Sequence, residues 1–89
     1  MREETAHAET RRSRKAHTAD LQGVYDAMVR HLIQARQEAG LTQREVSTRM
    51  GRAHSFLSKC ETGERRVDVL ELIQLARLYR KPLRYFFDE

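Results

Sequence analysis

From residue 21 onward, apolar residues return every three or four positions, and nowhere do they alternate with polar ones over the length of a strand. A chain spaced this way can bury its apolar side chains only as helix stripes. Leu21, Val24, Tyr25, Met28, Leu32, Ala35 and Ala39 form the first stripe. Val46 and Met50 form the second, Phe56, Leu57 and Cys60 the third, and Val69, Leu72, Ile73, Leu75, Ala76 and Tyr79 the fourth. Between the stripes stand the residues that start and stop helices. Asp20 fits an N-cap, and Thr42-Gln43-Arg44-Glu45 and Asp68-Val69-Leu70-Glu71 fit capping boxes. Gly40, Gly51 and Gly63 stand where helices end. Pro82 suits the first position of a final helical turn carrying Leu83, Tyr85, Phe86 and Phe87, with Leu83 and Phe86 as core. The expected fold is all-α, a compact bundle of five helices, the third over residues 53–60.

Residues 1–19 contain no Leu, Ile, Val, Phe or Tyr, so they cannot offset their ordering entropy by burial. They read as a disordered basic and polar arm ahead of one domain over residues 20–89. With 89 residues, such a chain buries only about 60% of its unfolded surface. A single cysteine, Cys60, excludes an internal disulfide, and nothing points to an oxidising compartment. No apolar run reaches the roughly 18 residues of a membrane span, and the N-terminus lacks the apolar stretch of a secretory signal. The cytoplasm is the expected location, with no membrane partner.

The net charge is +4, and its placement matters more than its size. Residues 42–66 carry Arg44, Arg49, Arg52, Lys59, Arg65 and Arg66 against Glu45, Glu61 and Glu64, most of the surplus. Arg11, Arg12, Arg14 and Lys15 form a second basic cluster in the arm. Both favour a polyanionic partner, because cations on phosphates release condensed counterions. Enzyme chemistry finds no support. Ser55 and Ser58 have no acid–base partner at helical spacing, and His54 and Cys60 lack the further ligands of a zinc set. No metal and no cofactor are expected. His7, His17 and His31 are scattered and read as solvated.

Two short helices joined by a tight glycine-containing turn have the dimensions of a helix-turn-helix, here over residues 43–62. The run Leu41-Thr-Gln-Arg-Glu-Val-Ser-Thr-Arg-Met-Gly51, followed by His54-Ser-Phe-Leu-Ser-Lys-Cys-Glu-Thr-Gly-Glu-Arg-Arg66, resembles the Cro/C1-type (XRE-like) helix-turn-helix family of bacterial and phage transcriptional regulators. The resemblance implies a lambda-repressor-like DNA-binding fold and double-stranded DNA as partner. It implies that His54, Ser55, Ser58 and Lys59 meet base edges, and that Gln43, Arg65 and Arg66 contact the DNA backbone. It also implies a small Ser47 where two helices cross and an ion pair between Arg36 and Glu61. The sequence departs from the family in three places. Arg52 replaces an apolar turn residue and is expected to reach outward to phosphate, Ala53 replaces a polar cap, and Cys60 replaces a larger apolar residue.

One motif reads only a few base pairs, so useful discrimination calls for two copies spaced by a helical turn of DNA. The expected protein is a homodimeric, sequence-specific regulator acting as a repressor on a pseudo-palindromic operator. The aromatic run Tyr85-Phe86-Phe87 cannot all point inward, which offers Tyr85 and Phe87 as dimer contacts. An antitoxin-like or adaptor-like protein-interaction module is the alternative. RNA binding is disfavoured because no aromatic except Phe56 lies near the basic face.

Overall fold

The computed structural model describes residues 14–88, with side chains described from Asp20 onward. Four α-helices and one 3-10 turn follow in order: α1 (Arg14–Glu38), α2 (Gln43–Arg49), α3 (Phe56–Thr62), α4 (Val69–Tyr79) and the 3-10 turn Leu83–Phe86. No strand occurs among the described residues. Helix α1 is the spine, and α3, α4 and the 3-10 turn pack against it while α2 packs on α3.

Local chemistry accounts for most of these boundaries. Both capping boxes form. Thr42 accepts from the Glu45 N–H at 3.0 Å and Glu45 accepts from the Thr42 N–H at 2.9 Å. Asp68 and Glu71 do the same at 2.8 and 3.0 Å. Helix α1 ends in a Schellman motif on Gly40 (φ 73°): the Gly40 N–H reaches the Gln37 carbonyl and the Leu41 N–H reaches the Arg36 carbonyl. Gly51 (φ 68°) closes α2 by the same pair of bonds, to Thr48 and from Arg52 to Ser47. Arg80 ends α4 in this left-handed conformation although it is not glycine (φ 59°).

Several expectations are corrected. Asp20 lies inside α1, which starts at Arg14, so residues 14–19 of the expected arm are helical. Arg, Lys and Ala are strong helix formers and carry the helical backbone past the last core residue. Arg14 and Lys15 therefore belong to α1, while Arg11 and Arg12 lie outside the described residues. The fifth helix is a single 3-10 turn, with Tyr85 and Phe87 donating to the carbonyls of Pro82 and Arg84. A four-residue run entered through proline is short enough to close i→i+3 bonds.

The core comprises Met28, Leu32 and Ala35 from α1, Val46 from α2, Phe56, Leu57 and Cys60 from α3, Leu72, Leu75, Ala76 and Tyr79 from α4, and Phe86. Phe86 is fully buried and contributes about 2–3 kcal/mol of apolar burial, which anchors the 3-10 turn to α1. Four residues expected in apolar stripes or in the core are exposed: Leu21, Ala39, Val69 (72%) and Leu83 (44%). Val69 occupies the first position of α4, one turn before the helix meets the core at Leu72. Leu83 sits one turn short of the site that Phe86 fills. His31 is not simply solvated: its Nδ1–H donates to the Phe86 carbonyl at 2.9 Å.

Candidate nucleic-acid interface

Helix α3 begins at Phe56 rather than within residues 53–55, because Ala53 offers no side-chain cap and Ser55 makes no cap bond. The missing acceptor comes from across the motif. Ser47 on α2, fully buried, accepts the Leu57 N–H at 3.1 Å. Its small side chain thus lets α2 and α3 cross closely and also caps α3. His54 and Ser55 consequently lie in the turn that enters α3, and Lys59 lies on the helix; all three are exposed. Ser58 is half-buried, and its hydroxyl donates to the Ser55 carbonyl at 3.0 Å. Ser58 and Lys59 follow Ser55 by three and four residues, the spacing that puts them on one side of the helix, with Lys59 in its last turn.

Arg36 on α1 and Glu61 near the end of α3 form a bidentate pair, Nε to Oε2 at 2.8 Å and Nη2 to Oε1 at 3.2 Å. The side chains are 13% and 6% exposed. Two further contacts enlarge the pair. Arg36 Nη1 donates to the Leu41 carbonyl at 2.9 Å, and Gln43 Nε2 donates to Glu61 Oε1 at 2.7 Å. Gln43 is therefore anchored by one amide N–H and keeps its second N–H and its carbonyl oxygen. Tyr79 is buried on the neighbouring face of α4. Burial, reinforced by the Glu61 carboxylate, pushes its hydroxyl above the ordinary tyrosine range.

The arginines expected on DNA phosphates also have partners within the protein. Arg52 does not simply extend outward: its Nη2 donates to Glu71 Oε2 at 2.6 Å. Arg65 donates to both oxygens of Glu71, at 2.7 and 2.9 Å, and to the Arg66 carbonyl. The two guanidiniums lie over the Phe56 ring, 4.6 and 5.0 Å from its centre. Arg66 turns back to α1, donating to Gln22 at 3.0 Å and lying over the Tyr25 ring, whose hydroxyl accepts the Val67 N–H. Glu71 itself is buried, and the Arg65 guanidinium, with the Asp68 N–H and Arg52, holds its carboxyl down at about 2 against the cost of burial.

Sequence reasoning saw Glu71 only as half of a capping box. One signal was available: Glu71 is four residues before Leu75, so it shares the buried face of α4, where a carboxylate needs cations. Burial likewise pushes the Cys60 thiol up, with Arg65 partly offsetting it. No group of three or more His, Cys, Asp or Glu side chains among the described residues could hold a metal ion.

Tyr85 is half-buried, packed near His31 and edge-on to Phe86, with Lys81 over its ring. Phe87 is 46% exposed.

Residues 27–83 match the family model described as a helix-turn-helix domain. In structure the chain is similar to an XRE-family like protein from Pseudomonas syringae pv. tomato str. DC3000. The TM-score is 0.73 and the identity 37%, covering 80% of this chain and 87% of that one. No curated protein matches the chain.

Proposed function

The chain belongs to the XRE-like helix-turn-helix family, and from that premise we propose that this DNA-binding regulator is a sequence-specific repressor. In this reading it binds a pseudo-palindromic operator as a homodimer in the cytoplasm. The observation that carries the reading is that His54, Ser55 and Lys59 are all exposed in and just before the motif's second helix, with partly exposed Arg52 and Arg65 before and after it along the chain.

In this reading Lys59 donates to guanine O6 and N7, while His54 and Ser55 donate or accept at base edges. Ser58 has its O–H engaged on Ser55, so it accepts, which suits the amino group of adenine or cytosine. Gln43, Arg52, Arg65 and Arg66 contact phosphates, which set register without carrying sequence. Arg11, Arg12, Arg14 and Lys15 add backbone contacts from the N-terminal side. The dimer contact centres on exposed Phe87 and Leu83, with Tyr85 at its edge.

Selection of bound duplexes from a random pool tests this directly. A palindromic consensus is expected, and Lys59→Ala should change the preferred base at particular positions by about 1–3 kcal/mol. A consensus without symmetry would overturn the dimer, and an unchanged consensus for Lys59→Ala would make Lys59 a backbone anchor. A second reading, a protein-interaction module, draws on Val69 and Leu70, exposed at 72% and 73% on consecutive positions of α4. It takes over if no duplex is enriched.

A further inference from the structure

Glu71 has more partners than a helix cap requires. Its carboxylate, on a side chain only 2% exposed, accepts from Arg52, twice from Arg65, and from the Asp68 N–H. The two arginines bracket the motif's second helix, one in the turn before Phe56 and the other in the loop after Thr62. A residue of α4 therefore ties both ends of α3. Both arginine side chains remain partly exposed, at 38% and 40%. Arg52 uses a single N–H on Glu71, which leaves most of its donors available.

An unattached arginine gives up rotamer freedom when it grips a phosphate. These two give it up on folding, through the fork on Glu71 and the packing on Phe56. We propose that Glu71 is a positioning residue for DNA binding: it holds Arg52 and Arg65 as one preset phosphate clamp bracketing the recognition helix. This rests on the DNA-binding reading above and extends it from which residues touch the backbone to how they are held there.

The sign of one substitution separates positioning from plain charge. Glu71 is an anion near polyanionic DNA, so on charge alone Glu71→Gln should tighten binding and steepen its salt dependence. Positioning demands the reverse. The full chain, its Glu71→Gln and Arg65→Lys variants and the double variant are titrated with a mixed-sequence duplex of roughly 20 base pairs, between about 50 and 200 mM salt. Circular dichroism fixes a temperature at which each is fully folded. Glu71→Gln is expected to bind on the order of tenfold more weakly. Its salt slope should be shallower by about 0.9 for each phosphate that the variant no longer neutralises. Arg65→Lys, which keeps the charge but not the fork, moves the same way, and the double variant is no weaker than the weaker single one.

Equal or tighter binding by Glu71→Gln, with an unchanged or steeper slope, overturns the proposal. Should Glu71→Gln fail to fold, Arg65→Lys decides: wild-type affinity and slope overturn it. A wild-type protein that binds no duplex overturns the DNA-binding reading itself, and the clamp with it.

Discussion

Two buried hydroxyls show how one kind of group can act in opposite directions. Ser47 has a partner that needs it: the Leu57 N–H at the start of α3 finds its acceptor there, in a site closed to water. Ser47→Ala should therefore cost about 1–3 kcal/mol, the penalty for an unsatisfied buried donor, read as a lower urea midpoint. An unchanged midpoint would mean that Leu57 finds another acceptor. Tyr79 presents the reverse case, for its hydroxyl is buried without a hydrogen-bond partner among the described residues. Tyr79→Phe keeps the ring and removes the desolvated group. It should leave stability unchanged or raise it by up to about 2 kcal/mol, and a marked loss of stability would reveal a partner for the hydroxyl.

At the scale of elements, α1, α2 and α3 are joined by one carboxylate. Glu61 accepts from Arg36 and Gln43, so the end of α3 is fixed to the spine and to the first residue of α2 together. Glu61→Ala leaves the Arg36 guanidinium desolvated and uncompensated, at a cost of about 3–5 kcal/mol. That is a large share of a small domain's stability, typically about 5–15 kcal/mol. A Glu61→Ala protein that unfolds at the wild-type denaturant midpoint would show that the pair contributes nothing. The helix boundaries themselves answer to local chemistry. Capping boxes join residues three apart, and glycine motifs join residues three and five apart. That is why they were legible in the sequence. The start of α3 was not, because its cap lies ten residues away on another helix.

For the whole molecule, Glu71 sets an acid limit on stability. Its carboxyl titrates at about 2 when folded and at an ordinary 4.5 when unfolded. A depressed folded value means that its contribution is fully present above about pH 4.5 and is lost as pH falls toward 2. The loss is at most about 3 kcal/mol, reduced because the outer edges of both arginines face water. Denaturation of wild type and Glu71→Gln across this window should show the wild type falling more steeply. Parallel curves would place the acid transition on other carboxylates. The same ion pairs that confer this stability also shape the surface proposed to meet DNA.

What the sequence determined by itself was whatever depends on near neighbours. The helical class, two capping boxes, the glycine ends and the residues sharing each stripe follow from periods of three and four along the chain. Resemblance to the family then brought Arg36 and Glu61 together, which spacing alone could not do. Tertiary structure decided which faces are covered and how far along each helix the cover extends. Val69 and Leu83 were read as packing positions, yet the elements that carry them leave both exposed. It also decided where Arg52 and Arg65 go. In the sequence they are surface cations free to reach phosphate, but packing turns Glu71 into the core. A buried carboxylate loses its hydration and needs cations in its place, and both arginines bond to it. Periodicity places Glu71 on the face of Leu75 but does not name the cations that answer it, because Arg52 and Arg65 meet Glu71 only in the folded chain.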